Sequence, residues 1–598
     1  MRRLLLLCIC TMFLQNIGAQ SYHLPVGHDA YHIYDRLEIM NGGGKLHTGL
    51  KFYSRKGMVK SLSLMDLSGL GSRDQADLDY LQEDNGDIWK NYFTDKVAQT
   101  SYQKEFVDSS NVFYTIKDEK IEESDLKLIS PPKPFLKYFY KSRANFFEVH
   151  EDGLNLVVNP ILNLNFGSAS NNEDIIFQNT RGIELRGDID DKLYFYSALY
   201  ENQANFNDYH VWRINKFQAV PGQGLYKDFQ SSVSENFKGY DYANATAYLG
   251  YNLSKSVGIE LGHGKHFIGN GYQSLLLSDY SHNYFYFKFM VNIWKIKYQS
   301  VIAELASVSG RVNPGDNLLP KKYMATHFLS FKPHKRFEIG LFESVVFARE
   351  DQFELQYLNP VILYRSVEHF IDSPDNLLVG LDLKWNFINN FSFYSQLILD
   401  EFKIDELTAG TGWWANKYGI QAGLKYINVA GIDHLDAQVE YNIVRPYTYS
   451  HRDTLAVDEN FSVANYSHYF QPLAHPIGAN FKELIVLLRY QPIPKLGIKA
   501  KAIMTKYGED SNGSNWGTNV LLPNQTREMN FGNEIGQGEN VDVMLLGLDI
   551  SYMFYHNFNV DFTYLNRTQT SSFDELNFDT NYYSVGIRVN TAQLRIDY

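Results

Sequence analysis

Cysteine is almost missing from this sequence: Cys8 and Cys10 are the only two, both within the first ten residues. They fall in a stretch that reads as a secretory signal, residues 1–19. Arg2 and Arg3 give a basic start, Leu4 to Leu14 is largely apolar, and Gly18-Ala19 suits cleavage before Gln20. From Gln20 onward the chain then has no thiol, which excludes disulfides, thiol catalysis and Cys-ligated metal. A lipid-anchored start is the rival reading, but neither cysteine follows a small residue. The apolar start is too short to cross a bilayer, and the remaining chain lacks any apolar run of about 18 residues. An excess of basic residues is lacking too. The formal charge is −13, and −15 without Arg2 and Arg3, which disfavours a nucleic-acid partner.

What the chain has in quantity is aromatic: 43 Tyr and 40 Phe. Mean hydropathy is nevertheless only −0.32. Alternation reconciles the two, because half of each strand is then polar. From about residue 153 the period is two. Leu154, Leu156, Val158, Leu162 and Leu164 share one face, and Asn155, Asn159 and Asn163 the other. Phe285, Phe287 and Phe289 alternate with Tyr286 and Lys288; Val379, Leu381 and Trp385 with Asp382 and Lys384; Val439 and Tyr441 with Glu440 and Asn442. Strands are expected near 153–166, 176–187, 192–203, 241–252, 255–264, 283–291, 293–306, 322–333 and 336–348. Nine more follow near 374–387, 391–402, 416–428, 432–445, 481–492, 495–507, 541–554, 557–567 and 581–590. Their connections alternate short and long, as membrane barrels demand, with short periplasmic turns and long external loops. Trp294 and Trp385 stand beside short turns on the apolar face, where an interfacial aromatic belt lies.

The expected fold is all-β and transmembrane: an antiparallel outer-membrane β-barrel of about 18 strands over residues 151–598. Edges cannot stay unpaired in hydrocarbon, so the sheet must close. The expected inward charges include Glu184, Arg186, Lys288, Lys295, Lys297, Asp382, Lys384, Glu440 and Lys501. Residues 20–150 read as a small, mainly helical periplasmic domain or plug; a linker with two extra strands is the alternative. Asp29–Asn41 is amphipathic through Ile33, Tyr34, Leu37 and Met40, Asp74–Trp89 is mixed helix and loop, and Pro131, Pro132 and Pro134 mark a break. The tail from Thr591 alternates through Leu594, Ile596 and Tyr598, either extending the last strand or pairing separately. Its terminal aromatic resembles the signal by which outer-membrane barrels are recognised for insertion.

Three segments carry a family resemblance. One is His263-Gly264-Lys265-His266-Phe267-Ile268-Gly269-Asn270-Gly271-Tyr272-Gln273-Ser274-Leu275-Leu276-Leu277-Ser278-Asp279. Another runs Glu343 to Arg349, then Tyr357-Leu358-Asn359-Pro360 and Tyr364-Arg365-Ser366-Val367-Glu368. The last is Arg445-Pro446-Tyr447-Thr448-Tyr449 with His475-Pro476-Ile477-Gly478-Ala479-Asn480-Phe481. Together they resemble the capsule-assembly Wzi family in its Bacteroidetes form, including gliding-motility proteins of the RemB type. The resemblance implies an outer-membrane barrel of about eighteen strands with a helical periplasmic segment, and a part in attaching capsular polysaccharide or in surface motility.

The residues themselves point to carbohydrate, since sugars are gripped by aromatic faces and planar polar groups. Trp212, Trp413, Trp414 and Trp516 fall in expected external loops, with Arg213, Arg445, Tyr447, Tyr449 and Tyr469 beside them. Exposed aromatic clusters often mark binding surfaces; packing of the loops against one another is the plainer reading of any single one. The family-motif loop is His263, Gly264, Lys265, Gly269, Gly271, Tyr272, Ser274, Ser278 and Asp279. His263 and His266 alone are too few for a zinc site, and Gly262, Gly264, Gly269 and Gly271 suit a tight loop folding into the lumen. Ser278, Asp279 and His282 lack a nucleophile elbow. The expectation is therefore a non-enzymatic protein without metal or cofactor that binds or organises capsular or exopolysaccharide at the cell surface. A motility- or secretion-associated protein acting through protein contacts and a passive porin-like channel are the alternatives. Expected partners are outer-membrane lipid, surface polysaccharide, the barrel assembly machinery during biogenesis and, in the motility reading, motility or secretion proteins.

Overall fold

A computed structural model describes residues 20–86, 88–89, three short strands at 103–106, 112–116 and 119–122, and residues 139–597, apart from 141, 152, 171, 233–235, 309–318, 350–352, 362, 372, 374, 453–462, 512, 594 and 596. The expected signal, the proline break at 131–134, and Leu594, Ile596 and Tyr598 lie outside the described residues.

Alternation produces a closed antiparallel barrel of eighteen strands. They are β1 (Leu154–Ala169), β2 (Asn172–Ile189), β3 (Leu193–Ala204), β4 (Lys238–Asn252), β5 (Val257–Gly264), β6 (Tyr284–Ile293), β7 (Ile296–Ala306), β8 (Lys321–His334) and β9 (Phe337–Phe347). The ring continues with β10 (Asn376–Ile388), β11 (Phe391–Leu399), β12 (Tyr418–Tyr426), β13 (Leu435–Val444), β14 (Phe481–Ile493), β15 (Leu496–Glu509), β16 (Glu539–Tyr555), β17 (Phe558–Ser571) and β18 (Phe578–Val589). β18 closes on β1 through the pairs Tyr582↔Ala169 to Val589↔Leu162. Each strand falls on an expected one, displaced by a few residues at its ends. Short strands at Phe147–Glu151 and Tyr226–Gln230 flank β1 and β4. No described helix is long and apolar enough to cross a membrane.

The two faces differ as the period demands. Phe285 and Phe287 are exposed on the outer face while Tyr284 and Tyr286 are buried on the inner one. Leu381 and Trp385 point outward between the buried Asp382 and Lys384. Trp294, 77 % exposed, and Trp385 flank short turns at one end of the ring. Lys295 departs from the expected inward set. It sits on the Trp294-Lys295 turn, exposed, with its ammonium donating to the Pro333 carbonyl at 2.6 Å.

The lumen is filled from the short-turn end by residues 20–89. Helices α1 (Ala30–Met40), α2 (Arg55–Leu62) and α3 (Ser72–Asp84) pack Tyr34, Leu37, Met58, Val59, Leu62 and Leu81 together. Of the anticipated amphipathic stripe, Ile33, Tyr34 and Leu37 are buried and Met40 is half-buried, but α1 also buries Asp35, Arg36 and Glu38 on its other sides. The sequence reading missed α2, which is one short helix capped by the Ser54 hydroxyl accepting from the Gly57 N–H. Wall charges answer these helices. Glu38 pairs with Lys332 at 2.9 Å and Lys384 at 2.6 Å, and Arg36 with Asp74 at 2.9 Å and Asp436 at 2.7 Å. The Thr48 and Gly49 N–H groups donate to Glu338 at 2.9 and 3.1 Å, and His23 meets Glu260 at 2.8 Å.

The chain end sets aside one of the two expectations for the tail, extension of the last strand. The described tail residues enter the lumen instead of extending β18. Asp597 pairs with Lys501 at 2.5 Å and also accepts from Tyr272, and the Gln593 amide donates to Asp549 at 2.9 Å. A buried Lys501 on the inner wall needs an anion, and the tail supplies it.

Candidate functional site

The long-loop end collects side chains from connections far apart in sequence. Trp413 and Trp414 lie between α4 (Ile404–Thr408) and β12, half-buried, with ring centroids 6.3 Å apart and edge to face. Trp414 also meets Tyr447 edge-on at 6.4 Å. Cations sit over these rings: Arg527 at 4.2 Å and Lys417 at 5.9 Å from Trp414, and Lys403 at 5.6 Å from Trp413. Arg445 ties the patch together, donating to the carbonyls of Asn416 at 2.9 Å, Asn533 at 3.3 Å and Trp413 at 3.4 Å. Beyond it, the Tyr447 N–H donates to the Gly517 carbonyl, and a Cβ on Gly517 would strike Tyr447. That close approach brings the half-buried Trp516 alongside.

Asp510 organises this last loop. Its carboxylate accepts from the N–H groups of Trp516 (2.5 Å), Gly517 (3.1 Å), Thr518 (3.1 Å) and Asn519 (2.7 Å). Burial pushes the Asp510 carboxyl up to about 6 despite those donors. Nothing local in the sequence announces Asp510, Arg527 or Lys403, because their roles arise only when separate loops meet.

Trp212 and Arg213 form a second group. They lie on a helix, Asp208–Phe217, inside the connection between β3 and β4. Lys216 covers Trp212 at 4.9 Å, and Arg213 donates to the Tyr280 hydroxyl at 2.8 Å and to the Pro476 carbonyl. Beside them a narrow cleft, partly open to solvent, is lined by Trp212, Arg213, Lys216, Tyr507, Asn519 and Arg567. Asn519 belongs to the Asp510 loop, so the cleft adjoins the Trp516 side of the patch.

Three expected contact residues are placed differently. Tyr447 and Tyr449 are fully buried and Tyr469 nearly so. Tyr447 donates to the Asn515 carbonyl at 2.9 Å; Tyr449 stacks on Tyr466 at 5.8 Å and donates to the Leu275 carbonyl at 2.7 Å. These rings hold the loops together from inside, so they offer no free face.

The motif loop turns inward. His263 and Gly264 end β5, with His263 Nδ1 2.8 Å from the Ala245 carbonyl. The half-buried Lys265 donates to the Gly222 carbonyl at 2.5 Å, and desolvation lowers its ammonium to about 8. The chain then descends to meet the N-terminal segment: the Gly269 N–H donates to Gly49 at 2.7 Å and the Lys51 N–H to Phe267 at 3.0 Å. Gly269 has φ +128°, and a Cβ there would lie 2.1 Å from the Gln396 amide. A Cβ on Gly271 would lie 2.6 Å from Glu440, which accepts instead from the N–H groups of Tyr272 (2.6 Å) and Gln273 (3.1 Å). Ser274 donates to the Ile268 carbonyl at 2.5 Å, Ser278 donates to Ala474, and the Asp279 carbonyl receives Lys265 at 3.2 Å. Leu275, Leu276 and Leu277 are buried in one apolar cluster with Leu37, Tyr53, Tyr449 and Tyr466. This loop is an internal brace between the N-terminal helices and the loop cap.

The model of the family described as capsule assembly protein Wzi matches residues 244–571, more than half of the chain. The chain belongs to the Wzi capsule-assembly family. The Wzi match covers the brace, the Trp413–Trp414 patch, Arg445 and Trp516; Trp212 and Arg213 lie before it. The barrel is also similar to the solved structure of Wzi from Escherichia coli, described as an outer membrane protein involved in group 1 capsule assembly and a carbohydrate-binding β-barrel. The two are 12% identical with a TM-score of 0.54, covering 96% of this chain and 100% of that one. Lower similarity is found to Pseudomonas aeruginosa OprD (10% identity, TM-score 0.40, 72% of this chain and 94% of that one) and Acinetobacter baumannii OccAB2 (10%, 0.39, 73% and 97%). No curated relative matches the chain. Family and fold make this Wzi-family protein an outer-membrane barrel with a polysaccharide-related role.

Proposed function

We propose that the protein binds or organises capsular or exopolysaccharide at the cell surface, without catalysing a reaction. The observation that carries this reading is the patch of half-buried Trp413, Trp414 and Trp516 around Arg445 at the long-loop end. Indole faces stack on the apolar faces of sugar rings, and cations held over them add donors for hydroxyls or acidic groups. The carbohydrate-binding character of the E. coli neighbour supports the same reading. In this reading the long loops face outward, and the short turns and residues 20–89 face the periplasm, as in other barrels of this kind. The apolar cluster running through the lumen favours surface binding over a passive channel.

The test is capsule staining and a spreading assay on a deletion strain complemented with wild type or with Trp413→Ala/Trp414→Ala. Surface-retained polysaccharide should fall at least several-fold in the double variant while the barrel still shows heat-modifiable gel mobility. Retained capsule with failed spreading would replace this reading with the motility one, in which the loops or N-terminal segment contact proteins.

A further inference from the structure

One connection leaves the loop cap and folds down the outside of the wall. It is the stretch between β9 and β10, whose residues 353–361 and 363–371 include helix Tyr364–Ile371. Its ends are clamped together. Arg349 forms a bidentate pair with Asp375 at 2.7 and 2.8 Å, and Tyr357 and Ser373 donate to the same carboxylate at 2.7 and 2.6 Å. Its inner side, Tyr357, Tyr364 and Val367, is buried against Ala325, Val345, Phe347 and Leu377.

Those wall residues belong to the outer face. Register pairs Tyr323 with Phe347, Ala325 with Val345, His327 with Glu343, and Leu329 with Leu341. Leu341 and Val379, the next outward residues toward the short turns, are exposed like the rest of the lipid-facing band. His327 and Glu343 therefore stand on the outer face near the middle of a 14-residue strand and its partner. An ionisable pair there would face hydrocarbon, where polar side chains destabilise a barrel most at mid-depth. The strap removes that exposure. Tyr364 covers His327 with centroids 4.1 Å apart and the rings tilted by 32°, the Arg365 N–H donates to Glu343 at 3.2 Å, and the Tyr298 hydroxyl donates to the Pro360 carbonyl. Both wall side chains are about nine-tenths buried as a result.

The strap's own outer side is mainly apolar: Leu355, Val361, Leu363 and Phe370 are 66–87 % exposed, with Gln356, Asn359, Arg365 and His369 exposed between them. Its charged Arg365 is paired with Glu368 at 2.7 Å, so the guanidinium does not stand as a lone charge. We propose that this strap is a lipid-embedded element, its outer side seated among acyl chains of the outer half of the bilayer. Continuity with the exposed band of Leu341 and Val379, and the depth of the polar pair beneath it, identify hydrocarbon as what covers it.

The chain from Gln20 has no cysteine, so single labels report cleanly. Val361→Cys and Phe370→Cys would each carry bimane in proteoliposomes containing phospholipid with doxyl groups on the acyl chain. Leu341→Cys is the lipid-facing control and Ala409→Cys the exposed-loop control. Labels at 361 and 370 should be quenched by doxyl lipid nearly as strongly as the label at 341, and by aqueous iodide several-fold less than the label at 409. Iodide quenching equal to that at 409, or protection from both quenchers, as a covering protein would give, overturns the proposal. Heat-modifiable mobility confirms that each variant has folded, and Leu355→Cys replaces any that has not. As a second measurement, substituting 353–371 by a Gly-Ser linker should lower the thermal transition of the barrel, and adding His327→Leu/Glu343→Leu should restore it. A lowered transition with no restoration contradicts the shielding role.

Discussion

Arg36 shows what single residues do in this barrel. It is 1% exposed, and its guanidinium is shared between Asp74 and Asp436, on a helix and on the wall respectively. Removing one partner of a buried ion pair typically costs about 3–5 kcal/mol, because the other charge is left without compensation. Arg36→Ala should therefore loosen the N-terminal segment from a barrel that still forms, read as faster proteolysis of residues 20–89 within a protease-resistant wall. Asp35 and Glu38 give this docking a pH dependence. Burial alone would raise both carboxyls, but Lys384 and Lys425 around Asp35, and Lys332 and Lys384 around Glu38, outweigh it and hold both low. A carboxylate depressed in the folded state stabilises fully above its ordinary value, 3.8 for Asp and 4.5 for Glu, and loses that stabilisation as pH falls through its lower folded value. Protection of residues 20–89 should thus hold from neutrality to about pH 5 and decline in stronger acid. Asp35→Asn should abolish part of that acid-dependent loss.

At the scale of elements, the inward loop depends on two glycines. Gly269→Val sets a β-branched side chain at φ +128° with Gln396 in its way. Strain of that kind costs about 1–3 kcal/mol, and the loop's hydrogen bonds to Gly49 and Lys51 should be lost with it. Slowed amide exchange over 266–278 in the wild type, against fast exchange in Gly269→Val, measures this directly. The Gly-x-Gly spacing made a tight inward turn legible in the sequence. Its partners were not legible, since Gln396 and Glu440 come from wall strands more than 120 residues away. The strands were legible for a different reason. Alternation is a local signal, imposed on each strand separately by having lipid on one side and polar or packed groups on the other. The helix at 364–371 is not legible in the sequence because its eight residues make only about two turns, too few for a 3.6-residue period to stand out.

For the whole molecule, the largely occupied lumen is the decisive feature. Eighteen strands enclose space enough for a water-filled pore, yet the N-terminal helices, the motif loop and the described tail residues occupy much of it. Planar-bilayer recordings should accordingly show no steady conductance of porin size, whereas deletion of residues 20–89 should produce leak or unstable openings. Steady large conductance from the full chain would restore the channel reading.

The sequence by itself determined that this chain closes into a membrane barrel, how many strands it has, and which face of each meets lipid. Those properties follow from side-chain period and from the need to satisfy every backbone group in hydrocarbon, both written along the chain. Only the tertiary structure decided which aromatic residues stay accessible. Tyr447, Tyr449 and Trp414 sit within 36 residues of one another and look alike as sequence, but two are buried and one is half-exposed. Accessibility depends on which loops from across the ring come to rest against each residue, and no local pattern encodes that.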